Sequence, residues 1–212
     1  KTKVYGSSDP LLSYSYSGLV NGDTGTVFTG SLSRAPGENV GSYAINQGTL
    51  SAGGNYSISY TGSALSITPA SLTVSAASKT KVYGSSDPLL SYSYSGLVNG
   101  DTDAVFSGAL TRDAGESVAG GPYAIRQGSV SAGSNYSITY NGANLSITKV
   151  TLSVTADAKS KAYGALDPAL TYTYTGLVNG DDGSVFSGTL TRAAGETVAG
   201  GPYAINQGTL SA

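Results

Sequence analysis

The chain has 212 residues, with 11 Lys and Arg against 13 Asp and Glu, and it contains no Cys, His, Met or Trp. Without Cys there is neither a disulfide framework nor a thiol nucleophile, and without His the commonest general base and metal ligand are missing, so most hydrolase and oxidoreductase constellations cannot be assembled. A formal charge of −2, with the basic residues scattered singly, leaves no stripe to neutralise phosphates and excludes nucleic acid as an expected partner.

From the N-terminus, Lys1 and Lys3 lead into Tyr5-Gly6, and Asp9-Pro10 reads as a turn whose Asp side chain bonds nearby backbone N–H groups. "SYSYS" at 13–17 alternates strictly, the mark of a strand with unlike faces: Ser toward solvent, Tyr14 and Tyr16 toward a core. "SGLVNGD" is a turn, and "DTGTVF" at 23–28 reads as one helical turn, with Asp23 and its counterparts Asp101 and Asp181 as N-cap. A Gly-rich hairpin loop carries Glu38. The period of two then returns in Tyr43 and Ile45, in Tyr56, Ile58 and Tyr60, in Leu65 and Ile67, and in Leu72 and Val74. The expected fold class is mostly β: β-grasp-like modules of about 80 residues, with short antiparallel strands and at most one short helical turn each, arranged end to end.

The modules repeat. Tyr5, Tyr83 and Tyr163 each open a Tyr-Gly pair at spacings of 78 and 80 residues, and residues 79–132 match 159–212 at 37 of 54 positions. Five of the differences turn Ser91, Ser93, Ser95, Ser117 and Ser129 into Thr171, Thr173, Thr175, Thr197 and Thr209, while Tyr92 and Tyr94 stay fixed as Tyr172 and Tyr174. The two extra residues of the later copies lie in a loop lengthened by Gly-Pro, "SVAGGPY" at 117–123. The spacing divides the chain into 1–68, lacking a first strand; 70–148, complete; and 150–212, lacking its last strands. Open sheet edges invite another strand, so the polypeptide is expected to continue in both directions or to borrow strands from neighbouring chains. The junctions "ITPASLTV" at 67–74 and "ITKVTLSV" at 147–154 leave almost no slack, and Pro69 stiffens the first.

The string "KTKVYGSSDPLLSYSYSGLVNGD", repeated at 79 and again as "KSKAYGALDPALTYTYTGLVNGD" at 159, resembles the YDG and MBG (YGX-type) repeats. Its signature positions are Tyr5, Gly6, Asp9, Pro10, Tyr14 and Tyr16, then Tyr83, Gly84, Asp87, Pro88, Tyr92 and Tyr94, then Tyr163, Gly164, Asp167, Pro168, Tyr172 and Tyr174. The resemblance implies tandem β-grasp-like modules of large secreted bacterial surface proteins, including filamentous-haemagglutinin-like and biofilm-matrix adhesins. It implies a stalk or fibre repeat outside the cell and no catalytic residues.

Sharper readings of particular residues compete with structural ones. The 16 tyrosines could form platforms for polysaccharide, but a module with no Trp and few Phe needs Tyr as core bulk. Asn99, Asp101 and Asp103 echo the opening of a calcium loop, yet Gly25 and Gly183 replace Asp103 in the other copies, so a turn and a cap are favoured. Lys1, Lys3, Lys79, Lys81, Lys159 and Lys161 could form Lys to Asn isopeptides if buried beside a carboxylate; solvated lysines guarding a strand edge are the plainer reading. The recurring acids suggest no cleft for paired-carboxylate chemistry. No enzyme activity and no cofactor are expected.

The function expected is that of a structural segment, a stalk, spacer or fibre body, with neighbouring repeats as partners and each copy adding about 30 to 40 Å. Self-assembly by strand exchange between neighbouring chains in a filament is the first alternative, and repeated glycan binding through surface Tyr the second. No apolar run approaches the roughly 20 residues needed to cross a bilayer, so no membrane insertion of this segment is expected. The lack of Cys, Met and Trp fits an oxidising extracellular setting, secreted or attached to the cell surface.

Overall fold

Alternation of apolar and small polar side chains puts Leu65 and Ile67, then Leu72 and Val74, on one side of an extended chain. In the computed structural model, which describes residues 1–212, all four are at most 2 % exposed. The first repeat contains β1 (Thr2–Val4), β2 (Ser33–Arg34), β3 (Gly41–Asn46) and β4 (Ser63–Thr68). The second contains β5 (Ala70–Ala76), β6 (Lys79–Val82), β7 (Tyr92–Ser95), β8 (Thr111–Arg112), β9 (Tyr123–Arg126), β10 (Tyr136–Asn141) and β11 (Ala143–Thr148). The third contains β12 (Ser153–Ala156), β13 (Tyr172–Thr175), β14 (Thr191–Arg192) and β15 (Ile205–Asn206).

The chain forms two compact units. Lys1–Ser78, Leu89–Asp113 and Ala124–Asn144 make one; Lys79–Pro88, Ala114–Tyr123 and Leu145–Ala212 make the other, so the middle repeat contributes to both. In the first unit one sheet has the order β1-β4-β3-β2 and a second the order β10-β5-β7. Only Pro69 separates β4 from β5, so residues 63–76 serve one sheet with their first half and another with their second. Tyr5, Ile67, Ala70, Leu72, Val74, Ala132 and Tyr136 form a single buried cluster, with Tyr92, Leu97, Phe106, Ile138 and Tyr140 packed against it. Side chains of two successive repeats therefore share one core. In the second unit β6 pairs with β11, β12 with β13 and β14 with β15.

Strand direction meets the antiparallel expectation in β2 with β3, β3 with β4, β5 with β7, β8 with β9, β12 with β13 and β14 with β15, and departs from it in three pairs. β1 with β4, β5 with β10 and β6 with β11 are parallel, because each pair is joined by a long crossover and not by a hairpin. A period of two shows that a segment is extended and says nothing about which way its partner runs.

The helical turns are lone 3₁₀ turns at Gly25–Val27, Asp103–Val105 and Gly183–Val185, with a fourth at Val198–Gly200 in the longer loop of the third repeat. Asp23, Asp101 and Asp181 are not their N-caps. The cap lies one residue later, at Thr24, Thr102 and Asp182, where Thr102 accepts from the Ala104 N–H and Asp182 from the Ser184 N–H.

The alternating tyrosines are also less buried than the pattern predicts. Tyr14, Tyr16, Tyr94 and Tyr174 are between 41 and 52 % exposed. Each repeat sets its two rings against a single Phe, Phe28, Phe106 or Phe186, with centroids 4.8 to 5.6 Å apart. One ring face is covered and the other is wet, which suits a phenol better than an aliphatic side chain. Residues 13–17 are not themselves a strand, whereas β7 and β13 pair with β5 and β12.

Candidate functional site: a clasp between successive repeats

The Tyr-Gly pair and the Asn-Gly-Asp turn, far apart in each repeat, meet across the repeat boundary. Thr68 O accepts from the Tyr5 N–H at 2.8 Å, extending the parallel pairing of β1 with β4 by one residue. Gly6 then turns the chain at φ 78°, where a Cβ would lie 2.6 Å from Val98 Cγ2 of the next repeat. Only glycine meets both demands. Opposite, Asn99 and Gly100 both have positive φ, 60° and 78°, as a type I′ turn requires, and the Asp101 N–H donates to Val98 O at 3.0 Å.

This turn presents Asn99 and Asp101 to Tyr5, which is 4 % exposed. The Tyr5 hydroxyl donates to Asp101 Oδ2 at 3.0 Å and accepts from Asn99 Nδ2 at 3.1 Å. Tyr136 of the second repeat donates to the same carboxylate oxygen at 2.7 Å and accepts from the Val98 N–H at 3.1 Å. The Tyr5 and Tyr136 rings meet edge to face, centroids 5.5 Å apart. Burial first, and the neighbouring Asp101 second, push the Tyr136 phenol up, so Tyr136 stays a neutral donor at physiological pH. Beside them Asn135 accepts from the Val40 N–H and donates to Asn39 Oδ1, both at 2.9 Å.

The clasp recurs between the second and third repeats. Tyr83 donates to Asp181 at 3.4 Å and accepts from Asn179 Nδ2 at 3.2 Å, and a Cβ on Gly84 would lie 2.5 Å from Val178 Cγ2. Tyr163 has the same Tyr-Gly turn, Gly164 at φ 81°, but is 76 % exposed, and a Cβ on Gly164 would meet nothing. In the first repeat the receiving half is already formed: the Tyr56 hydroxyl donates to Asp23 at 2.6 Å and accepts from the Val20 N–H at 3.1 Å. Hydrogen bonding to Asp23 pushes the Tyr56 phenol up.

The Asp-Pro acids have a different task from the one expected. Asp9 bonds no turn amide; it faces Lys3 Nζ at 2.7 Å and Arg34 Nε at 2.5 Å, while Glu38 closes the ring by pairing with both cations. Arg34 Nη1 also donates to Ala35 O and Gly37 O, and its guanidinium lies 5.5 Å from the Tyr43 ring centroid. Arg34 above all, with Lys3, holds the Asp9 carboxyl down to about 2. In the third repeat Asp167, Lys161, Arg192 and Glu196 repeat the ring, and Arg192 with Lys161 holds Asp167 at about 2. In the second, Lys81 pairs with Asp87 and Glu116.

The lysines are thus not all solvated edge guards: Lys3 and Lys81 are 7 and 8 % exposed, because two carboxylates compensate each ammonium. Burial beside carboxylates meets one condition for an isopeptide, but the partners are acids and not Asn. The same hydrogen bonds keep Lys3 and Lys81 protonated, without the lone pair that attack on a carbonyl requires.

Of the calcium candidates, Asn99 and Asp101 turn to tyrosine hydroxyls while Asp103 lies in the 3₁₀ turn, and no group of three or more acidic, His or Cys side chains is placed to hold a metal ion. The parts of the clasp were visible in the sequence and their pairing was not: Tyr5 and Asp101 stand 96 residues apart. Arg34, Arg112 and Arg192 went unremarked although they recur in every copy, a usable signal in a chain with so few charges.

The Tyr-Gly and Asn-Gly-Asp motifs are shared features of three consecutive copies, and the family model for the MBG domain (YGX type) matches residues 1–66, 72–146 and 152–212. The chain belongs to the MBG domain family. It is a run of three tandem MBG repeats, a structural and non-catalytic type of module. Comparison with curated proteins and with solved structures returned no match. In these MBG repeats the Tyr-Gly pair of one copy and the Asn-Gly-Asp turn of the next are what fasten successive copies.

Proposed function

We propose that this run of MBG repeats is a load-bearing spacer, the stalk or fibre body of a secreted or cell-surface bacterial adhesin. The observation that carries the reading is the clasp: the signature pair Tyr5-Gly6 of one repeat meets the turn residues Val98, Asn99 and Asp101 of the next. A tensile segment needs joints stronger than a flexible linker, and here one joint combines an almost unbroken strand, a shared core and buried hydrogen bonds. Reach would then scale with copy number and adhesion would lie elsewhere in the polypeptide. The oxidation-resistant composition supports an extracellular setting.

Single-molecule pulling on the chain tests the reading. A spacer resists force at its joints, so Asp101→Ala lowers the first unfolding force while leaving the contour length released per event unchanged. Equal forces in the two proteins would contradict it.

A further inference from the structure

The sheet β10-β5-β7 of the middle repeat ends in two strands that carry no guard. In the first two repeats the strands that end the other sheets, β1, β2, β6 and β8, each hold a basic side chain: Lys3, Arg34, Lys79 with Lys81, and Arg112. Charge on an edge strand discourages another chain from pairing there, and five of the 11 Lys and Arg stand in such strands. β10 (Tyr-Ser-Ile-Thr-Tyr-Asn) and β7 (Tyr-Ser-Tyr-Ser) have no charge and no Pro.

Both edges also present free backbone. The Ala70 N–H donates to Asn135 O at 3.0 Å, so residues 135, 137, 139 and 141 face β5, while Tyr136, Ile138 and Tyr140 turn their N–H and C=O groups to the side where the sheet has no strand. The Ala77 N–H donates to Ser91 O at 2.8 Å, which leaves Tyr92 and Tyr94 of β7 facing outward in the same way. Across the sheet the pleats agree. Thr139, Thr73 and Ser95 form one row on the hydroxyl face, and Asn141, Ser75 and Ser93 form the next, with Asn141 Nδ2 donating to Ser75 Oγ at 3.0 Å. On the other face Tyr140, Val74 and Tyr94 share a row.

β10 runs parallel to β5 and β7 runs antiparallel to it, so two copies side by side in the same orientation bring the β7 edge of one antiparallel to the β10 edge of the other. We propose that these two edges are the complementary halves of a lateral interface with a second copy of this chain, which continues the sheet from copy to copy. No strand leaves its own sheet. A second copy fits because one edge matches the other in direction, in pleat and in freedom from charge: hydroxyl rows meet hydroxyl rows, and the Tyr94 row meets the Tyr140 row. A contact between unlike edges does not close on itself, so it builds an open array, and each further complete repeat adds a contact of the same kind. The inference does not depend on the spacer reading, since pulling on one chain tests that reading without any second copy.

Sedimentation of the 212-residue chain at rising concentration is the test. The unaltered chain is expected to grow beyond two copies. Ser137→Lys with Thr139→Lys charges the β10 edge, and Ser93→Lys with Ser95→Lys charges the β7 edge; all four positions are exposed, so either variant should keep its melting temperature and lose the growth. Mixed together, the two variants retain one intact edge each and should stop at two copies. Adding Ser93→Glu and Ser95→Glu to the β10 lysine variant should restore growth, which a misfolded chain cannot do. An unaltered chain that stays single, growth that survives in either lysine variant, a dimer formed by the β7 variant alone, a mixture that does not pair, or no restoration by the glutamates overturns the proposal.

Discussion

At Tyr5 one phenol carries a donor bond to Asp101 and an acceptor bond from Asn99, with its ring wedged against Tyr136. Tyr5→Phe keeps the ring and removes both bonds, leaving Asp101 and Asn99 short of a partner; the expected cost is about 1–3 kcal/mol in urea unfolding. Gly6 and Gly164 provide an internal comparison, since both sit near φ 80° but only Gly6 faces Val98. Gly164→Ala should cost the backbone strain alone, about 1–2 kcal/mol, and Gly6→Ala clearly more because Val98 must also shift. Equal losses at the two sites would show that Gly6 is needed for its turn and not for the contact.

The Lys, Asp, Arg and Glu rings set the response to pH. Asp9 and Asp167 titrate near 2 in the folded chain against an ordinary 3.8, and Glu38 and Glu196 are also held low. Folded values below unfolded ones mean that the unfolded chain takes up protons first, so the stability from these rings is complete above the ordinary carboxylate range and drains away toward pH 2. With no His in the chain, the melting temperature should stay nearly flat from pH 8 to 5 and fall below pH 4. Because Asp9 and Glu38 are about half exposed, added salt should shrink the acid-dependent step. A melting temperature unchanged between pH 5 and pH 2 would refute the ring's contribution.

Among the elements, the stretch 63–76 matters most, because its two halves belong to different sheets and its side chains fill a core shared by two repeats. Leu72 is fully buried there, and Leu72→Ala should cost about 2–5 kcal/mol, whereas Leu152→Ala, at the half-buried counterpart in the third repeat, should cost markedly less. Comparison of the two variants in urea checks this. These strands were legible in the sequence because Leu65, Ile67, Leu72 and Val74 keep a period of two. The parallel course of β1 beside β4, and of β5 beside β10, was not legible, since alternation is the same in either direction. The half-exposed Tyr14 and Tyr16 escaped for a related reason: alternation reports which residues share a face, and cannot say that a single Phe would cover only part of it.

Across the whole molecule the three copies announced themselves through the spacing of Tyr5, Tyr83 and Tyr163, and the family followed from the same letters. What the spacing could not reveal is that the Tyr-Gly turn of one copy and the Asn-Gly-Asp turn of the next form a single site, because a contact over 96 residues leaves no local periodic trace. Asp101 shows the difficulty: as a letter it suits a helix cap or a calcium ligand, and only the neighbouring repeat makes it a receptor for tyrosine hydroxyls. The measurement that bears most directly on this account is a double-mutant cycle between Tyr5→Phe and Asp101→Asn, read by equilibrium urea unfolding of the whole chain. The clasp predicts a coupling energy of about 0.5–3 kcal/mol, and losses that add within about 0.5 kcal/mol would mean that the two repeats are not joined through these residues.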